Sequence, residues 1–256
     1  MAVVYPHSFT KADLSNASAD DLMLFLLAGH AANDVQILQR LLLMAVGALD
    51  QDKYANLPAL AQSMLLARVL ITRLAASWDE IGRDKYQRLL DQAEADLEAR
   101  GAPAGEIEAC RAGRETLRKL LADGSMLVKI RNKTGAHTDR KTLREAFDSA
   151  PGEYEFIDLL APIAGNYLHG AADDVATRAL LETASNAESE LAIQELGELL
   201  TEAASALSAV SSLWTMYFNI TYLRISFDKA RKGSKDMQGV DITVMSLPVF
   251  IEPPGD

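Results

Sequence analysis

The sequence predicts an all-α protein: an up-and-down helical bundle that ends in a long C-terminal helix and a short extended arm. Three observations carry that expectation. Apolar residues recur at helical spacing in at least five segments. Hydrophobic residues make up 49% of the chain and are mostly Ala and Leu, which lose little on entering a helix. Strand-like alternation is confined to one short run near Ile242.

Residues 1–17 read as an irregular leader. Ser18, followed by Asp20 and Asp21, resembles a capped helix start. The first helix is expected over 20–49, with Leu22, Phe25 and Leu26 and then Ile37, Leu38, Leu41 and Leu42 on its apolar stripe. Asn56 and Pro58 open a second helix, which runs through Leu65, Leu70 and Leu74 to Trp78. A third, polar helix covers 83–100, with Gly101 as its C′ residue and Pro103 just beyond. The fourth spans 104–121. Asp123 and Gly124 kink or break it, and the chain resumes from Ser125 and ends near Gly135. Thr142 and Glu145 have the spacing of a capping box for a short helix. After the break at Pro151 and Gly152, helices are expected over 153–169, interrupted near Pro162, and over 173–183. The last helix is the longest, about 188–226. Residues 241–251 alternate like an extended arm packed on the bundle or on a partner subunit. The domain reading is a leader (1–17), one helical domain (18–228), and an arm and tail (229–256).

A formal charge of −11 argues against broad, non-specific nucleic-acid binding. It leaves room for a local basic patch. Between Lys129 and Arg144 there are six Lys or Arg and one acid, Asp139. Cys110 is the lone cysteine and is expected to pack as a small buried side chain in a reducing cytoplasm. Residues 203–223 carry no charge, but a third of them are polar, as on a half-wet bundle helix, so no membrane span is expected. The chain has no glycine-rich phosphate loop, dinucleotide fingerprint or nucleophile elbow. Its four His and one Cys are scattered, so neither a metal nor a cofactor is expected. His30 and Asp34 have the spacing of a surface pair on one helix. Glu94 and Glu98 read as a solvated helix face, and His169 as a residue favouring a helix-end dipole.

The segment with chemical content is Arg131 to His137. If a helix ends between them, both side chains can reach one pocket. An Arg holds a phosphate through a fork of charge-assisted hydrogen bonds. A His near neutral pKa moves a proton. Together they suffice to cleave RNA without a metal: a base takes the proton of the 2′-hydroxyl, and the cation stabilises the charge that builds on phosphorus oxygens. The bland alternative is an Arg paired with an acid and a His packed at a helix end.

The run Ile130, Arg131, Asn132, Lys133, Thr134, Gly135, Ala136, His137, Thr138, Asp139 resembles the signature of HEPN-domain proteins. That signature is an Arg followed by a polar residue, with a His four to six positions after the Arg. The wording is similar to the abortive-infection branch of the superfamily. The specific match covers about residues 126–143, and a weaker likeness in helix pattern runs from about 20 to 175. The resemblance implies an all-α bundle and a homodimer in which two copies of the motif face each other. It implies a metal-independent endoribonuclease of a toxin–antitoxin or phage-defence type, with RNA as substrate and an antitoxin protein as a further partner. Arg131 would then contact the scissile phosphate, His137 would be the general acid or base, and Asn132 would position substrate or the His. Lys129, Lys133 and Arg140 are the candidate substrate-binding cations. The alternative is a catalytically inactive helical module that binds a nucleotide or a protein.

Overall fold

The computed structural model describes residues 2–4, 9–47, 53–135, 140–159, 168–184, 189–223 and 235–237. It is an all-α helical bundle. Nine α-helices are present among the described residues: α1 (Lys11–Leu14), α2 (Ala19–Val46), α3 (Lys53–Ile81), α4 (Asp84–Ala99), α5 (Ala104–Leu120), α6 (Met126–Ile130), α7 (Arg140–Asp148), α8 (Gly170–Ala184) and α9 (Ser189–Thr221). A π-helical turn, Arg131–Gly135, follows α6 directly. Two three-residue strands, β1 (Ala2–Val4) and β2 (Lys235–Met237), pair antiparallel with Ala2 opposite Met237. The chain divides into two compact units, and the divisions fall inside α2, α3 and α9 and before the last residue of α5, with one more at 240/241.

The first unit holds Met1–Val35, Ala76–Lys119 and Glu202–Val240. Its core is made by Leu24 of α2, Leu90 and Leu97 of α4, Ile107 and Leu117 of α5, and Trp214 and Phe218 of α9, all buried. Phe218 stacks on Phe25 with ring centroids 4.0 Å apart. The buried hydroxyl of Ser211 donates to the Ala28 carbonyl at 3.0 Å, so a polar group inside the core is satisfied across two helices. α5 and α9 meet at Gly113, where a Cβ would lie 2.7 Å from the Ala206 carbonyl oxygen. Two segments refine the expected leader and first helix. Thr10 caps α1, its Oγ accepting from Asp13 N at 3.3 Å while the Asp13 carboxylate accepts from Thr10 N at 2.6 Å, so the leader is not wholly irregular. Ser18 caps α2 as expected, accepting from Asp21 N at 3.1 Å. Gly101, at φ 74°, closes α4 in the left-handed conformation that suits glycine.

The second unit holds Gln36–Ala75, Leu120–Thr201 and Asp241–Asp256. Ala59, Met64, Leu70, Ile71 and Leu74 of α3 are buried, as are Leu127, Val128 and Ile130 of α6 and Leu180 of α8. α3 starts three residues before the expected Asn56, with Pro58 inside it. Near a helix start the missing proline N–H removes little, which is why the ring is tolerated. α7 begins at Arg140, so Thr142 lies within the helix and is not its cap. The described part of the expected helix over 153–169 is not helical: residues 153–158 have no regular structure, and Leu159 forms an isolated antiparallel bridge with Leu168, while 160–167 lie outside the described residues. The long-range anchors explain this. Tyr154 OH donates to Asp174 at 2.8 Å, and the Asp158 carboxylate accepts from Ala171 N at 3.0 Å, so the segment is strapped along α8. Gly170 is required there, because a Cβ would collide with the Ile157 carbonyl.

The uncharged stretch 203–223 lies mostly in α9, with Leu207, Val210, Trp214 and Phe218 buried. Among described residues, Asn56–Ile81 is the helix long and apolar enough to cross a membrane, with mean hydropathy 1.4. The alternating run 241–251 lies outside the described residues.

Candidate functional site

The Arg131 segment is built from a break upward. Gly124, at φ 80°, turns the chain after α5. Ser125 then caps α6, its hydroxyl accepting from Val128 N at 3.3 Å. Leu127, Val128 and Ile130 are buried, and α6 and the π turn both pack on α8. The exposed positions are left to Lys129, Asn132 and Lys133, with Arg131 half-buried between them. A π turn packs an extra residue into the turn and swings successive side chains outward, a geometry that recurs at functional sites. Arg131 Nε donates to Asn132 Oδ1 at 3.1 Å, which fixes the guanidinium plane against its neighbour. The structure therefore brings Arg131 and Asn132 together and exposes Lys129 and Lys133 on either side. Arg140 is exposed at the first position of α7. His137 lies outside the described residues.

The other sequence candidates resolve differently. His30 and Asp34 approach to 3.8 Å on α2, as the spacing suggested. His169 sits at the start of α8, where its carbonyl accepts from Ala172 N at 3.0 Å. That is the positive end of a helix, so the expected favourable dipole contact is reversed. Among the described residues no three His, Cys, Asp or Glu side chains cluster as metal ligands would.

Glu94 is not on a solvated face. Its side chain is 4% exposed and accepts from Arg111 Nε at 2.8 Å and from an Arg114 terminal nitrogen at 2.5 Å. Arg114 also reaches Asp91 at 2.7 Å, and Arg111 reaches Glu98 at 2.7 Å. This charge lattice ties α4 to α5. Cys110 is buried beside it, and burial, helped by the negative Glu94, pushes its thiol up to about 12. A second missed contact is Asp21, buried, which accepts from Ser18 Oγ at 2.7 Å and from the Tyr222 hydroxyl. Burial and that hydrogen bond raise the Tyr222 phenol.

Compared with known proteins, the chain matches no family model, no curated protein and no solved structure.

Proposed function

We propose that this protein is a HEPN-like, metal-independent endoribonuclease whose working pair is Arg131 and His137. The observation that carries the proposal is the Arg131 guanidinium, oriented by Asn132 on a π turn whose exposed flanks are Lys129 and Lys133. A planar fork held in one orientation suits a phosphodiester, which it grips through two oxygens. Neighbouring lysines lower the cost of bringing a polyanion to an otherwise acidic surface. The role of His137 rests on the sequence motif. In the proposed step His137 accepts the 2′-hydroxyl proton, the 2′-oxygen attacks phosphorus, and the bond from phosphorus to the 5′-oxygen breaks as that oxygen takes the proton back from the His137 imidazolium. Arg131 stabilises the charge on the non-bridging oxygens. A homodimer in the cytoplasm, with two copies of the motif facing each other, belongs to the same proposal.

The test is cleavage of RNA by the purified protein in excess EDTA, with 2′,3′-cyclic phosphate and 5′-hydroxyl ends as the expected products. His137→Ala and Arg131→Ala should each lower the rate by about two to four orders of magnitude. The proposal fails if both variants cut like wild type or if cleavage requires Mg²⁺. If wild type cuts nothing, the non-catalytic binding module replaces it.

A further inference from the structure

The first stretch of the second unit, Gln36–Ala75, leaves large apolar side chains in water. Ile37, Leu43 and Val46 of α2 and Leu65 of α3 are each 46–54% exposed. Leu66 and Val69 of α3 are half-buried beside them in sequence. α3 is long and apolar enough to cross a membrane over Asn56–Ile81, yet less than half of its most apolar stretch is buried. One exposed Leu is ordinary. A helix that is apolar around most of its circumference is normally covered around most of it.

Charge selects what can cover this surface. Gln36–Ala75 carries Arg40, Lys53, Arg68 and Arg73, and its two acids, Asp50 and Asp52, lie outside the described residues. The stretch is net +2 in a chain of −11. Exposed Arg40 donates through Nε to the Gln36 carbonyl at 3.2 Å, and the buried Nε of half-buried Arg68 has no acceptor. Neither guanidinium meets a carboxylate among the described residues. The occupant must therefore be apolar and negative. A second copy is disfavoured, because a two-fold axis sets like charge against like charge with no acid between. Leu and Val, which predominate here, rarely anchor a folded partner. In a lipid layer each gains from its apolar area without needing a matching pocket. The acidic remainder of the chain does not prevent approach, because at physiological ionic strength charges beyond about 8 Å are screened.

We infer that the α2–α3 stretch Gln36–Ala75 is a peripheral docking surface for an anionic lipid bilayer. Ile37, Leu43, Val46 and Leu65 enter the boundary between headgroups and acyl chains, and Arg40 and Arg68 meet lipid phosphates. The chain lies on the membrane and does not span it. The inference does not depend on RNA cleavage by the Arg131 segment.

The experiment is sedimentation of the full chain with sucrose-loaded vesicles at about 0.15 M salt. The vesicles are phosphatidylcholine alone, or a two-to-one mixture of phosphatidylcholine and phosphatidylserine. Wild type should bind the mixed vesicles at least about tenfold more tightly, since each arginine near an anionic surface contributes about a fivefold factor. Arg40→Glu should weaken binding to the mixed vesicles about five- to thirtyfold and leave binding to pure phosphatidylcholine unchanged. Leu65→Asp should weaken binding to both by about tenfold. Arg40→Glu keeps the test decisive should Leu65→Asp lose far-UV circular dichroism. The inference is overturned if both vesicle types bind wild type alike, or if neither variant changes binding by more than twofold. Wild type that stays in the supernatant with both overturns it in favour of a protein partner. A vesicle-free dimer that Leu65→Asp dissolves overturns it in favour of a second copy.

Discussion

Replacing Arg114 by Met tests the charge lattice between α4 and α5. The change keeps an unbranched apolar stem in a side chain that is 12% exposed and removes the guanidinium from Glu94, which is 4% exposed. A buried carboxylate that loses its partner costs about 3–5 kcal/mol. Here Arg111 remains on Glu94 at 2.8 Å, but it is half in water, so it offsets only part of the loss. The expected destabilisation is about 2–3 kcal/mol. Trp78 and Trp214 are the two tryptophans and both belong to the first unit, so fluorescence in urea reports its unfolding directly. With a denaturant dependence of about 3 kcal/mol per M for a chain this long, the midpoint should drop by about 0.7–1 M. The double variant Glu94→Leu with Arg114→Met should recover most of the loss, because an apolar pair no longer strands a charge. A single-variant drop below about 0.2 M, or a double variant worse than the two singles added together, would refute the reasoning.

Two further outcomes follow from the same unit. The Cys110 thiol is pushed up to about 12 when folded, against an ordinary value of 9.0, so below pH 9 both states keep the proton and stability is unaffected. Between pH 9 and 12 the unfolded chain releases its proton first, and stability should fall by up to about 1.4 kcal/mol per pH unit. Urea midpoints measured across that range should decline more steeply for wild type than for Cys110→Ala, and identical slopes would count against the burial of the thiol. Gly113→Ala should destabilise by about 1–3 kcal/mol, because its Cβ meets backbone and not a flexible side chain. The intrinsic helical gain of Ala over Gly, about 0.5–1 kcal/mol, is smaller, so a more stable variant would contradict the close approach of α5 to α9.

Much of the helical layout was legible because its signals are local. Ser18 and Ser125 cap where their side chains suggested, and Gly101 ends α4 with the positive φ that only its residue type adopts easily. The failures arise where distant partners decide. Residues 153–169 read as helix, but Asp174 and the Ala171 N–H, more than ten positions away, anchor Tyr154 and Asp158 along α8. Glu94 reads as solvated when α4 is taken alone. α4 and α5 form a tight hairpin, and residues equidistant from its turn face each other, which sets Asp91 against Arg114 and Glu94 against Arg111. That rule would have found the lattice from spacing. At the candidate site, the basic flanks of Arg131 were legible as a charge cluster. The Asn132 contact and the π turn were not, since neither leaves a mark on composition.

The scattered membership of the first unit has a consequence for synthesis. Its three stretches begin at Met1, Ala76 and Glu202, so the last is made long after the first. At about 5–20 residues per second, the N-terminal stretch waits roughly 8–35 seconds for its α9 partners to emerge. During that interval Phe25 has no Phe218 to stack on it, and Ala28 has no Ser211 to occupy its carbonyl. The nascent helix is thus an apolar surface in search of cover, the kind that chaperones hold, and the unit closes only after the Glu202–Val240 stretch has been made.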